Sequence, residues 1–151
     1  MTLQGSQGSY RVSVLVPVSA QKAWAVLTDY EAMAGVMPDI QQAKVVRRSG
    51  RSLELAQTYK APYTFGLSIK ARLRIEETPP SRMSYQLISG DRIEELQGTW
   101  TLTPVNGGVL LKHQIRLRPQ IPGFLLSTYY ELSETNLRQS MQILAKLMLK
   151  S

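Results

Sequence analysis

Residues 97–124, QGTWTLTPVNGGVLLKHQIRLRPQIPGF, decide the fold. A first strand leads through a Pro-Val-Asn-Gly-Gly turn into a second strand, whose side chains alternate without a break. One face of the second strand carries Val109, Leu111, His113, Ile115 and Leu117, and the other carries Lys112, Gln114, Arg116 and Arg118. A period of two predicts a strand with one buried face and one hydrated face. A proline-rich step at 119–122 then ends this strand.

A long amphipathic helix follows the proline-rich step. We expect it to begin near Pro122, because proline is favoured in the first turn of a helix, and to continue to the C-terminus. One stripe of the helix consists of Leu126, Tyr130, Ser133, Leu137, Met141, Leu144 and Met148. This spacing is typical of a helix that buries one face. About 28 helical residues would span roughly 42 Å, enough to cross a whole sheet.

Before the long helix, the whole sequence predicts one strand, two short helices and then six strands, which include the two strands described above. Ser19 is a suitable N-cap for the first helix, and the second covers about 30–36;. The strands are expected at 10–16, 40–48, 52–60, 64–77, 82–88, 92–103 and 109–118. Runs of strands closed by one helix predict an α+β protein with an antiparallel sheet. Residues 1–9 are rich in Gly, Ser and Gln and are expected to form a flexible tail.

Length and composition restrict the class of protein. A chain of 151 residues fits a single domain, here placed at 10–151;. It has no apolar run long enough to span a bilayer and no signal-peptide pattern, so we expect a cytoplasmic protein. With no Cys and one His, neither a disulfide nor a metal site is expected;. No cofactor is expected either.

The chain is basic, with 18 Lys and Arg against 11 Asp and Glu, which gives a formal net charge of +7. Such a charge suits transient contact with an anionic membrane or an acidic protein, or it serves only solubility. The positive charges are dispersed, and aromatic residues are not interleaved with them. This argues against nucleic acid as a partner.

Four segments carry a family resemblance. The first two are VPVSA at 16–20, leading into AWAVLTDY at 23–30, and VMPDI at 36–40. The third is Gly98-Thr99-Trp100 followed by Thr103-Pro104 and Gly107-Gly108, and the fourth is Pro119, Ile121, Pro122 and Phe124. In this order they resemble the START-like (SRPBCC) superfamily, in its polyketide cyclase and coenzyme Q-binding branch. The resemblance covers nearly the whole chain, from Tyr10 to Lys150.

The resemblance implies a helix-grip fold: a curved antiparallel seven-stranded sheet wrapped around the long C-terminal helix, with two short helices after the first strand. It also implies a hydrophobic cavity between sheet and helix. Our first hypothesis is a soluble carrier that binds a quinone, isoprenoid, lipid or polyketide-like molecule there. The second is a cyclase or dehydratase using the same cavity, although no catalytic motif is visible and no catalytic residue is assigned. The third is an interaction module that acts through its surface.

The wall of this cavity follows from the inward-facing strand residues and the helix stripe. The strands are expected to contribute Tyr59, Phe65, Leu67, Ile69, Met83, Tyr85, Leu87, Trp100, His113, Ile115 and Leu117. The helices are expected to contribute Met33, Met37, Leu125, Tyr129, Leu132, Leu137 and Met141. Such a wall is mostly apolar with a few polar groups, as ligand sites are. The alternative for each residue is that it only packs against its neighbours.

Two polar features lie on the apolar faces. His113 is compatible with three roles: a core histidine satisfied by a neighbouring backbone group, a ligand contact, or a general acid or base. Arg92 and Glu94 share the parity of Trp100, so they are expected to pair with each other and to form a second polar ligand site;.

The outward face is the third candidate site. Two strands place basic residues on it: Lys70, Arg72 and Arg74 on one, and Lys112, Arg116 and Arg118 on the other. It is either a solvated sheet surface or a docking face for an anionic partner.

Overall fold

The computed structural model describes residues 1–60 and 68–150. Its strands are β1 Thr2–Ser6, β2 Ser9–Val16, β3 Ile40–Ser49, β4 Ser52–Lys60, β5 Ser68–Thr78, β6 Arg82–Asp91, β7 Ile93–Val105 and β8 Gly108–Pro119. Its α-helices are α1 Ala20–Leu27 and α2 Leu126–Lys150, and 3-10 helices cover Glu31–Gly35 and Gly123–Leu125. The described strands form one antiparallel sheet in the order β1-β2-β8-β7-β6-β5-β4-β3.

Strand β1 replaces the flexible tail expected at residues 1–9, so the described sheet has eight strands rather than seven. Gln7 and Gly8 have φ angles of 51° and 91°, as a tight two-residue hairpin turn requires;. The turn pairs Ser6 with Ser9 and places β1 beside β2. The prediction failed because four of the five residues of β1 are exposed, so no apolar alternation marks the strand.

The remaining elements lie close to their predicted positions. Ser19 caps α1, its hydroxyl oxygen accepting the backbone N–H of Lys22 at 3.2 Å. Helix α2 begins at Leu126 rather than at Pro122, because a 3-10 turn intervenes. The strand expected at 64–77 is described only from Ser68, so its predicted cavity residues Phe65 and Leu67 lie outside the described residues. No described helix is both long and apolar enough to cross a membrane.

The apolar core consists of two clusters on the inner face of the sheet. The larger contains the second half of α2, where Met141, Leu144 and Met148 are fully buried. The smaller is built around Ile69 and Leu117, with residues from the first half of α2 only partly buried against it. Helix α2 therefore covers one end of the sheet tightly and the other end loosely.

A buried carboxylate anchors the region after α1 to the sheet. Glu77, at the inner face of β5, is only 9% exposed and accepts a hydrogen bond from the Tyr30 hydroxyl. Its other oxygen lies 2.9 Å from the guanidinium of Arg48 on β3. Tyr30 directly precedes the 3-10 helix Glu31–Gly35, so this cluster fixes the position of that helix over the sheet.

Replacing Glu77 by Ala is expected to lower the free energy of unfolding by about 2–3 kcal/mol, because the Tyr30 hydroxyl and Arg48 lose their shared acceptor. Urea denaturation followed by circular dichroism measures this loss. Glu76→Ala is the matched control, since Glu76 is the neighbouring residue on the exposed face of β5. The control is expected to change the free energy by less than about 0.5 kcal/mol. Equal losses from both variants would contradict the anchoring role of Glu77.

Candidate functional site

Two adjacent chambers lie between the sheet and α2. The inner chamber has a volume of about 170 Å³, and the outer chamber, which reaches the exposed Lys60, has about 90 Å³. The residues that line both chambers mark their junction, and they are Asp39, Tyr59, Leu96, Ile115, Leu137 and Ser140. The outer chamber lies beneath the loosely packed first half of α2, and the inner chamber continues beneath the middle of the helix, from Leu137 to Leu144.

Most of the predicted wall residues do line this space. The inner chamber is lined by Met33, Met37, Tyr59, Met83, Tyr85, Trp100, His113, Ile115, Leu137 and Met141. Leu117, Tyr129 and Leu132 line the outer chamber. Strand alternation succeeds here because the inner faces of β6, β7 and β8 all point at α2.

Three other predicted wall residues lie elsewhere. Ile69 is fully buried in the smaller core cluster, and Leu87 packs against that cluster rather than against a chamber. Leu125 belongs to the 3-10 helix Gly123–Leu125 and lines neither chamber. The alternation of side chains predicts which face of the sheet a residue lies on, but not how far it lies from the cavity. It therefore cannot distinguish a residue of the packed core from a residue of the cavity wall.

The predicted pair of Arg92 and Glu94 is wrong. Arg92 has a φ of 64° and precedes β7, and its guanidinium donates to the main-chain oxygen of Ser68 at 2.9 Å. Glu94 is instead paired with Arg118, at 3.3 Å, on the outward side. A register shift at the start of β7 breaks the alternation that the prediction assumed;.

His113 is held by two aromatic neighbours. Its Nε2 atom is hydrogen-bonded to the Tyr85 hydroxyl at 2.7 Å, and its ring stacks on Trp100 with centroids 3.8 Å apart. Burial lowers the pKa of His113 from 6.5 to about 3, because the interior disfavours the charged ring;. His113 is therefore a neutral wall residue at physiological pH. Its observed partner is a side chain, whereas the sequence suggested a backbone group.

Gly98 makes the contact between Tyr85 and His113 possible. Tyr85 on β6 pairs with Gly98 on β7, and the next strand, β8, carries His113. A Cβ atom at Gly98 would lie 2.4 Å from the Tyr85 hydroxyl oxygen, well inside van der Waals contact. The missing side chain lets the Tyr85 ring extend across β7 to reach the next strand.

Asp39 is a chamber residue that the sequence analysis missed. It lies in the loop before β3, where its main-chain oxygen accepts the backbone N–H of Lys60 at 2.9 Å. Its side chain is half-buried and lines both chambers. Burial raises the pKa of the Asp39 carboxyl above its usual 3.8, although its own backbone N–H and the charge of Lys60 oppose this;. The one available signal was its place in the VMPDI segment.

Two tyrosine hydroxyls of the inner wall have partners of their own. Tyr59 donates its hydroxyl hydrogen to the Gln57 side chain, and Tyr30 donates to Glu77. Burial raises the pKa of the Tyr59 hydroxyl, so this group stays neutral. In the described part of the chain, no set of three or more acidic, His or Cys side chains is placed to hold a metal ion.

The outward basic residues do not form one continuous patch. They lie on β5 and β8, which β6 and β7 separate in the sheet. Three of them form ion pairs, namely Arg72–Glu54, Arg116–Glu95 and Arg118–Glu94. A shallow groove of about 660 Å³ crosses this face and has a polar lining that includes Arg74 and Arg116. The face is a mixed polar surface, and the chambers beneath α2, with their more apolar walls, are the stronger candidate site.

Comparison with protein families identifies the group to which this fold and cavity belong. The sequence profile of the family described as polyketide cyclase / dehydrase and lipid transport matches residues 16–142. The chain belongs to this family. The START-like resemblance expected from the four sequence segments is thereby confirmed. Comparison with curated protein sequences gives no match.

Solved structures confirm the helix-grip fold. A protein from Thermus thermophilus is similar with a TM-score of 0.81 and 18% identity, over 93% of this chain and 96% of its own. The Zhui aromatase/cyclase from Streptomyces is similar with a TM-score of 0.77 and 13% identity, over 99% of this chain and 95% of its own. The STAR-related lipid transfer protein from Xanthomonas axonopodis is similar with a TM-score of 0.73 and 18% identity, over 97% of this chain and 89% of its own. At these identities the likeness is one of fold.

The ring of His113 is expected to stay neutral in the folded protein from pH 8 down to pH 5. Because His113 is the sole histidine of the chain, its imidazole resonances in an NMR pH titration are unambiguous. Its folded pKa of about 3 lies below the unfolded value of 6.5, so the unfolded chain binds the extra proton between these values;. Its contribution to stability is therefore complete above pH 6.5 and is lost as the pH falls toward 3.

The same group should account for a fall in unfolding free energy of about 1.4 kcal/mol per pH unit over that window. Urea denaturation at several pH values, compared between the wild type and His113→Gln, isolates this slope from that of the carboxylates. A midpoint near 6.5 in the NMR titration, or equal slopes in the two proteins, would show that the ring is hydrated and free to ionise.

Proposed function

We propose that this protein binds a small hydrophobic molecule in the inner chamber between the sheet and α2. The observation that carries the proposal is a space of about 170 Å³ between the sheet and α2 with a mostly apolar wall;. A cavity of about 150 Å³ in another protein is large enough to hold benzene. The inner chamber together with the outer one suits a ligand portion of one or two rings, or a short apolar chain.

Methionines give this chamber an adaptable wall. Four of the six methionines in the chain line it, namely Met33, Met37, Met83 and Met141. Unbranched, polarizable side chains of this kind adjust to ligands of different outline. This supports binding of a group of related molecules. Quinones, isoprenoids, lipids and polyketide-like molecules are the classes to compare.

The energy of binding comes from removing apolar surface from water. Burying roughly 250 Å² of a two-ring aromatic at about 25 cal/mol per Å² gives about 6 kcal/mol. The lost freedom of the ligand subtracts from this value. We therefore expect a two-ring probe to bind with a Kd of roughly micromolar to millimolar size, which suits a carrier that must also release its ligand.

Naphthalene is expected to bind saturably, with NMR shift changes concentrated on the indole N–H of Trp100 and the methyl groups of the chamber methionines. Ser140→Phe should weaken this binding by about tenfold or more, because the new ring fills the junction of the two chambers. Gln139→Phe is the matched control, since Gln139 is exposed on the adjacent position of α2. Absence of binding to the wild type, or equal weakening by both variants, would contradict the proposal.

A cyclase or dehydratase acting in the same chamber is the second candidate. The observation that favours it is Asp39, the carboxyl group at the chamber junction. Its raised pKa makes the carboxylate a better proton acceptor than an ordinary aspartate;. A carrier needs no such group, whereas an enzyme that removes a proton next to a carbonyl does.

A linear tetraketide thioester tests this second candidate. If the protein is a cyclase, it should accelerate formation of the aromatic product, measured by near-ultraviolet absorbance and chromatography. Asp39→Asn should then reduce the rate by about a hundredfold or more, while Asp29→Asn, at an exposed position outside the chambers, should leave it unchanged. A rate equal to the spontaneous background would reject cyclisation of this substrate and leave ligand carriage as the remaining proposal.

A further inference from the structure

One polar group of the inner chamber, the Asp39 carboxyl, lies where a ligand could reach it. Asp39 is the charged residue at the junction of the chambers, and its side chain faces both spaces. Its main-chain oxygen accepts a hydrogen bond from the backbone N–H of Lys60 at 2.9 Å, and this bond fixes the loop beside the end of β4. The carboxyl accepts a hydrogen bond from the backbone N–H of Asp39 itself, and among the described residues no side chain donates to it.

The three tyrosine hydroxyls of the inner wall already have partners. The Tyr85 hydroxyl is bonded to His113, the Tyr30 hydroxyl to Glu77, and the Tyr59 hydroxyl to Gln57. The Asp39 carboxyl accepts its own backbone N–H, but its two oxygens offer about four acceptor positions. A ligand that brings its own donor can use a position that remains.

The charges near Asp39 select the kind of donor. Lys60 lines the outer chamber beside it, and its positive charge acts on the Asp39 carboxyl. A cationic ligand would meet this ammonium group and a chain of net charge +7;. A neutral hydroxyl meets neither obstacle, and a carboxyl oxygen accepts its hydrogen whether or not Asp39 is protonated.

The wall selects the shape of the apolar part. Trp100 and His113 stack with an interplanar angle of 9°, and both line the inner chamber. They add rigid aromatic surface to a wall whose other side is flexible methionine. Offset contact with such rings favours another planar ring.

We infer that Asp39 is the recognition group of this cavity and that it selects planar aromatic ligands bearing a hydroxyl group. The rings occupy the inner chamber beside Trp100 and His113, and the hydroxyl donates its hydrogen to the Asp39 carboxyl at the junction. This inference rests on the proposed binding function and specifies its ligand class as phenol-like.

Three matched probes test the inference on the wild-type protein: naphthalene, 2-naphthol and 2-methoxynaphthalene, each titrated by NMR at constant pH. We expect 2-naphthol to bind about tenfold to a hundredfold more tightly than naphthalene, the range of a hydrogen bond to a charged group. The methyl ether has no hydrogen to donate and should bind no more tightly than naphthalene. If the ether matches 2-naphthol, the inference is overturned without any variant.

Variants at Asp39 then locate the acceptor. Asp39→Leu should abolish the preference for 2-naphthol and leave the affinity for naphthalene within about threefold. Asp29→Leu is the matched control, because Asp29 is exposed and lies outside both chambers. A preference that survives in Asp39→Leu would overturn the assignment, and the thermal melting of each variant verifies that it is folded.

Two further outcomes separate this inference from the proposed function. If naphthalene and 2-naphthol bind the wild type with equal affinity, Asp39 does not recognise the hydroxyl group and the inference fails. The chamber would still bind apolar molecules, so the proposed function would stand. If neither probe binds, the proposed function itself fails. Protonated 2-(aminomethyl)naphthalene provides the last arm: tighter binding of this cation than of 2-naphthol would overturn the choice of a neutral donor.

Discussion

One long helix, α2, provides most of the cover over the inner face of an eight-stranded sheet, and this constraint determines where a ligand could enter. Helix α2 meets the sheet tightly only in its second half, where Met141, Leu144 and Met148 are at most 2% exposed. In its first half, Tyr129 and Leu132 remain half-buried because the outer chamber lies beneath them. Atoms that line an empty space lack partners on one side, so the site is maintained at a cost in packing energy.

The wall on the sheet side is rigid, and this prevents the chamber from closing on itself. Tyr85 cannot turn into the space without breaking its hydrogen bond to His113, and Trp100 is held by stacking on the same ring. The contact depends on the bare backbone of Gly98, which gives the Tyr85 ring its place. Rigidity on the sheet, together with the flexible Met33, Met37 and Met141 that line the chamber from outside the sheet, gives a cavity of fixed position but adjustable outline;.

The sequence predicted which side chains face inward where strands run without interruption. Trp100 faces His113 in an unbroken stretch of the β7–β8 ladder, so a period of two located both residues correctly. It failed for Arg92, because a register shift and a left-handed residue precede β7. Asp39 had no periodic signal, since it lies in a loop. Its importance depends on β4 and α2 meeting at that loop, and only the folded chain shows this.

The electrostatics of the cavity differ from those of the surface. The surface carries most of the net charge of +7, and much of the outward charge is paired. Inside, burial lowers the pKa of the His113 ring and raises that of the Asp39 carboxyl, so it disfavours the charged form of a base and of an acid alike;. A compartment that opposes both signs of charge favours neutral ligands. The basic composition of the chain therefore describes its exterior, and the chemistry of its ligand has to be inferred from the few polar atoms that face the chamber.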